Sequence, residues 1–176
     1  MQESDSVTLS RMRLLYPDFR VRVARTYADM WEHHRIQMRM TEGLRLFSRQ
    51  ADLYAQGRTK PGPIVTKAPP GFSLHHYGVA CDSCRKGKDP WDVPWDKFAA
   101  YAKGHGLYAG FNFSFKDNPH LELAYGGMSV EKMLNLYQNK GLESVWAEFD
   151  TIRGITQGSE WYGPQKLTRI VNVGEI

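Results

Sequence analysis

After Pro17, apolar residues recur three to four apart: Phe19, Val23, Tyr27, Met30 and Trp31. That period lines one face of a helix, and Pro17 with Asp18 suits its first turn. In RIQMRMTEG the period falls to two, with Ile36, Met38 and Met40 alternating against polar neighbours, which predicts a strand stopped by Gly43. LRLFSRQADLYAQG returns to a helical period and ends at Gly57. From Arg58 to Gly71 the chain holds Pro61, Pro63, Pro69 and Pro70, a composition that predicts a loop. Asp92 and Pro94 can open a helix whose apolar face is Trp95, Phe98, Ala99 and Ala102, closed by Gly104 or Gly106. Phe111, Phe113 and Phe115 alternate as a strand, Asp117-Asn118-Pro119 is a turn, and HLELA returns as the paired strand. Ser129 to Phe149 is helical, interrupted near Gly141, and Leu167, Ile170 and Val171 predict a last short strand. The pattern is α+β: one domain, a small antiparallel sheet flanked by helices, with a mainly helical C-terminal extension.

Composition narrows the class. The chain has 176 residues, 41% apolar and 24% charged, enough for one globular domain with a sizeable core. No apolar run approaches the roughly 20 residues that span a bilayer, so no stable membrane insertion is expected. MQESDSVTLSRMRLLYPDF places charges where a signal peptide needs an apolar stretch. The expectation is a protein made in a host cytoplasm without a signal peptide. Two cysteines cannot build a disulfide framework. A net charge of +4 and a sequence pI near 9.1 give mild attraction to polyanions. The Lys and Arg residues form no run of five, and no nucleic-acid partner is expected.

The chemistry concentrates in SLHHYGVACD, Ser73 to Asp82, and in DNPH, Asp117 to His120. A catalytic zinc takes three protein ligands and keeps a fourth position open. One His and one Asp from the first stretch and His120 from the second make such a set with a single long loop to close. Asp117, three residues before His120, can act as a general base toward a metal-activated water and return the proton to the leaving amine. Singly, each position has an ordinary alternative: Asp117 as a turn residue, Asp82 as a cap, and His33, His34 and His105 as hydrogen-bonded residues.

Together the positions match a pattern. Ser73-x-His75-x-x-Gly78-x-Ala80-x-Asp82 resembles the SxHxxGxAxD signature of the VanY-like D-alanyl-D-alanine carboxypeptidase and L-alanyl-D-glutamate endopeptidase family of zinc peptidases. TEGLRLFSRQADLYAQGRT is similar to that family's EGxRxxxRQxxLYxQGRT, and GLYAGFNFSFKDNPHLEL to its GLxxGxxxxxxDxPHxE. The resemblance runs from about residue 10 to residue 125 and looks closest to phage peptidoglycan endolysins, which have Asp at the base position where carboxypeptidases generally carry Glu. It implies a fold like that of Hedgehog and D-Ala-D-Ala peptidases, with residues 1–125 as catalytic core; residues 126–176, with Trp146, Phe149 and Trp161, are expected to form an extension packed on the same domain. It also implies zinc as cofactor, His75, Asp82 and His120 as ligands, Asp117 as base, and Arg45 as the cation that stabilises the oxyanion. Ser73, Gln50 and Arg58 are implied on the substrate side.

Strand parity conflicts with one of these assignments. Residues six apart share a face and residues seven apart do not, which pairs His76 with Asp82 rather than His75; a break at Gly78 would lift the conflict. His76 and Phe113 stand where relatives commonly carry Asn and Trp. In CDSC, Cys81 is expected to face the core, with Cys84 a free thiol nearby. The expected activity is hydrolysis of a peptidoglycan stem-peptide bond, L-Ala–D-Glu first, by a bacteriolytic monomer that reaches the wall after membrane disruption. The rivals are D-Ala–D-Ala carboxypeptidase or dipeptidase action, a non-catalytic module that binds wall peptides, and a virion structural protein of the same fold.

Overall fold

The first helix has no counterpart in the periodicity. α1 (Ser6–Met12) is capped by Asp5, whose carboxylate accepts from Thr8 N at 3.1 Å, and it buries Thr8 and Met12. α2 (Pro17–His34) follows the expected pattern, burying Phe19, Val23 and Met30 and ending at Arg35 in the left-handed region. Then come β1 (Met38–Glu42), α3 (Phe47–Ala55), a 3₁₀ turn over Leu74–Tyr77, β2 (Ala80–Arg85), α4 (Trp95–Gly104), β3 (Leu107–Ala109), a second 3₁₀ turn over Gly110–Asn112, β4 (His120–Leu123), α5 (Val130–Lys140) and α6 (Leu142–Arg153). The structure, a computed structural model, describes residues 5–123 and 126–156. The strand expected around Leu167, Ile170 and Val171 falls outside the described residues.

The strands form one sheet in the order β1-β2-β4-β3, every pair antiparallel. Alternation divides its two faces. Met40, Cys81, Leu121 and Ala109 face α2 and α4, where Tyr27 OH meets Ser83 Oγ at 2.7 Å. Asp82, His120 and Glu122 lie on the other face. Met128, Met133, Val145 and Phe149 belong to the same buried cluster as Phe19, Val23 and Leu121. Tyr16 links the start of α2 to α6: its ring lies 5.5 Å from that of Phe149, and its hydroxyl is bonded to Asp150.

One expectation fails. Phe111, Phe113 and Phe115 form no strand, and the segment that pairs with β4 is Leu107–Ala109. The carbonyl of Gly110 accepts from Phe113 N at 3.1 Å and Asp117 N at 3.0 Å, which curls the chain out of the ladder. The alternating phenylalanines lie along an irregular loop, and Phe115 is 78% exposed. Cys81 and Cys84 are both buried and free; three apart on a strand, they face opposite ways. No helix of the described residues is long and apolar enough to cross a membrane.

Candidate metal centre

Antiparallel pairing of β2 with β4 sets Asp82 directly opposite His120, so the two side chains project together from the open face. His75 comes from the 3₁₀ turn, which Gly78 closes at φ 66°, a conformation glycine adopts without strain. One ligand atom each of His75, Asp82 and His120 lies within 4.8 Å of the others. His75 Nε2 is 3.5 Å from Asp82 Oδ2, and His120 Nδ1 is 3.1 Å from Asp82 Oδ1. The turn removes the parity conflict, because residues 74–77 are not strand. His76 points away: its Nδ1 meets the Arg45 carbonyl at 2.8 Å and its ring stacks on Phe47 at 4.0 Å.

The far side of each imidazole is held by an acceptor. His75 Nδ1 lies 2.9 Å from the carbonyl oxygen of Gly43, which can only accept, so the proton sits on Nδ1 and Nε2 offers its lone pair to Asp82's side. His120 Nε2 lies 3.0 Å from a Glu122 carboxylate oxygen, which leaves Nδ1 facing the cluster. Such acceptors fix the tautomer and orientation of metal-ligating histidines. Burial alone would push the His120 pKa down, but its hydrogen bonds to Asp82 and Glu122 and their charges carry it up to about 9. Burial also works to raise Asp82, yet the bonds and charges of His120 and His75 hold its carboxyl far below the usual range. With a carboxylate on each side of its ring, His120 marks a place where positive charge is stabilised. Two imidazole nitrogens and one carboxylate suit Zn²⁺ with a position left open.

Arg45 lies in the extended link before α3. Its backbone N–H donates to the His75 carbonyl at 3.1 Å. Its guanidinium donates to Glu42 at 2.6 Å, Asp82 at 3.2 Å and Gln50 Oε1 at 2.9 Å. Gln50 is fully buried and donates onward to the Ala68 carbonyl at 2.7 Å; it orients Arg45 and fastens the proline-rich loop instead of opening onto the cleft. Arg58 stacks on Tyr54 and bonds the Tyr54 and Thr66 carbonyls, bracing the outside of that loop. Ser73 is buried immediately before the His75 turn.

Asp117 is an exposed residue, yet desolvation is the largest influence on its carboxyl and raises its pKa; Asp82 adds to the rise, while His120, His75 and Arg45 oppose it. Its backbone is fixed at both ends, donating to Gly110 O and accepting from His120 N, each at 3.0 Å. Two residues here escaped the sequence reading. Glu122 had a signal, since it shares a strand face with His120 two positions away and ends the motif PHxE. Glu42 had one too, as the first residue of the segment similar to EGxR, but its place opposite Asp82 depends on a bulge between Met40 and Glu42 that the motif does not report.

No family model matches the chain. It is 41% identical over 102 residues to the peptidoglycan L-alanyl-D-glutamate endopeptidase CwlK of Bacillus subtilis (strain 168), a match covering 50% of this chain. The chain spans 61% of the length of that curated relative. Among solved structures, the Serratia marcescens L-Ala D-Glu endopeptidase ChiX is 18% identical with a TM-score of 0.51, over 68% of this chain and 88% of that one. The LdcB LD-carboxypeptidase is 17% identical with a TM-score of 0.49, over 76% of each chain. The likeness to ChiX shows the fold, and the resemblance read from the motifs is borne out by the identity to CwlK.

Proposed function

We propose that the chain is a zinc-dependent peptidase that hydrolyses the L-Ala–D-Glu bond of the peptidoglycan stem. The observation that carries this reading is the convergence of His75, Asp82 and His120 beside Asp117 and Arg45. The identity to CwlK supports the choice of bond, and Asp rather than Glu at position 117 favours the endolysin branch of the resemblance.

His75 Nε2, His120 Nδ1 and the Asp82 carboxylate would hold the zinc. Bound there, zinc supplies a Lewis acid that acidifies water and polarises a carbonyl. The Asp117 carboxylate accepts the proton of the attacking water and gives it to the departing amine, a role suited to a carboxyl whose pKa desolvation raises above its ordinary value. The Arg45 guanidinium is gripped by Glu42, Asp82 and Gln50, so it meets the developing oxyanion without reorganising. Gly43 and Glu122 keep both imidazoles in the ligating tautomer.

Digestion of purified peptidoglycan followed by mass spectrometry of the fragments tests the bond. New L-Ala C-termini and D-Glu N-termini are expected, abolished by a chelator, restored by zinc, and reduced about 10²–10⁴-fold in Asp117→Asn. Release of terminal D-Ala alone would identify a carboxypeptidase, and binding without any product a wall-peptide module.

A further inference from the structure

Beyond the metal cluster, a second concavity opens beside the curled loop. It measures about 580 Å³ and is lined by Lys103 at the end of α4, Tyr108 on the edge strand β3, and Asn112 and Phe113. That volume falls within the roughly 300–1,000 Å³ typical of small-molecule sites. Phe113 is the wall shared with the centre, its ring 5.9 Å from that of His120. Tyr108 is 57% exposed on a strand whose outer edge no other described strand covers.

We infer that this concavity is a subsite for the N-acetylmuramyl sugar to which the stem peptide is attached. The inference rests on the L-Ala–D-Glu reading above and follows from the covalent structure of that substrate. In the L-Ala–D-Glu bond a single residue separates the scissile carbonyl from the sugar's lactyl group, so the sugar lies about one residue length, 3.3–3.6 Å of chain, beyond L-Ala. Peptide contacts on that side are limited to one methyl group, and further recognition there falls to the sugar. In a D-Ala–D-Ala substrate four residues intervene, up to about 14 Å of extended chain, and no sugar pocket is needed next to the ligands. The lining matches a pyranose. Its C–H face is apolar and packs on aromatic rings such as Tyr108 and Phe113, while its hydroxyls and acetamide meet the amide of Asn112 and the ammonium of Lys103. The rim is cationic rather than acidic, and an uncharged sugar amide is accepted there without an unpaired carboxylate.

Two measurements test this. The first compares cleavage of an N-acetylmuramyl stem peptide with that of the same peptide N-acetylated in place of the sugar. The sugar-bearing substrate is expected to have a KM about tenfold lower, and in Tyr108→Ala and Asn112→Ala the two KM values converge. The second titrates ¹⁵N-labelled protein with the peptide-free disaccharide of N-acetylglucosamine and N-acetylmuramic acid. Amide shifts are expected at Tyr108, Asn112 and Phe113, and their loss in Tyr108→Ala shows the site directly even if the variant's kinetics change for other reasons. Equal KM values for both wild-type reactions, with no shifts at these residues, overturn the subsite and leave the peptidase reading intact. Failure to cleave either substrate, with the shifts present, overturns the peptidase reading instead.

Discussion

A β-carbon placed on Gly110 would lie 2.1 Å from the backbone oxygen of Asp117 and 3.0 Å from His120 Cβ. No side chain can swing away to relieve that approach, because the first clash is with backbone. The glycine in the GLYAG motif is therefore required by proximity: it lets the chain fold onto itself so that Asp117 and His120 stand beside Asp82. Gly110→Ala is expected to move the 110–120 loop by a fraction of an ångström or more and lower kcat about 10²-fold, since small misplacements of reacting groups have effects of that size. Kinetics on muropeptides beside a thermal melt check this; a variant with unaltered kcat contradicts it. At this scale the sequence was informative where a motif supplied spacing, as with His75 and Asp82. Strand parity alone pointed to His76, because alternation presumes an unbroken strand and the 3₁₀ turn before Gly78 is not one. Gln50 was legible as part of a motif but not in its role, since burial and a bond to Arg45 depend on where the proline-rich loop returns.

Among the elements, the helices with an apolar stripe and a clear start were readable, α2 and α4 above all. α1 was not. Its seven residues bury one methionine and one threonine, and it is held by polar links that periodicity does not report. Asp5 accepts from Thr8 and from Arg39 Nη2 at 2.7 Å, and Thr8 Oγ1 accepts from Met40 N at 3.0 Å, tying the helix to β1. Burial works to raise the Asp5 pKa, but the bonds from Arg39 and Thr8 outweigh it and hold it at about 2, against an ordinary 3.8. A carboxyl depressed on folding stabilises fully above its unfolded pKa and loses that contribution as the pH falls through the folded one. Asp5→Ala is expected to lose about 1–2 kcal/mol at pH 7, the gap to wild type closing as the pH drops from 4 through 2. Denaturant unfolding across that range measures it, and a gap independent of pH contradicts the assignment. The misread phenylalanines show the converse error: alternation at 111, 113 and 115 arises on a loop held by Gly110, where no ladder exists to give the period meaning.

For the whole molecule, α5 and α6 complete the core rather than decorate it. Phe149 and Val145 have no exposed surface, Tyr16 lies against Phe149, and Trp146 Nε1 donates to the Tyr77 carbonyl at 2.8 Å, beside the His75 turn. We propose that residues 126–156 fold with the catalytic core as one unit. Phe149→Ala is then expected to destabilise by about 3–5 kcal/mol in a single cooperative transition, while a chain cut after Leu123 that melts like the full protein would show the helices to be an add-on. The extension's apolar spacing was legible from the sequence; that its indole braces the turn carrying His75 was not, because that contact joins residues 69 positions apart. β2, β4 and this turn bring three side chains together, and elemental analysis of the purified, dialysed protein shows whether they hold a metal. One zinc per chain is expected in the wild type and in His76→Ala, and almost none in His75→Ala, Asp82→Ala or His120→Ala. A wild type without metal, or a His75→Ala variant that keeps its zinc while His76→Ala loses it, would overturn this ligand set.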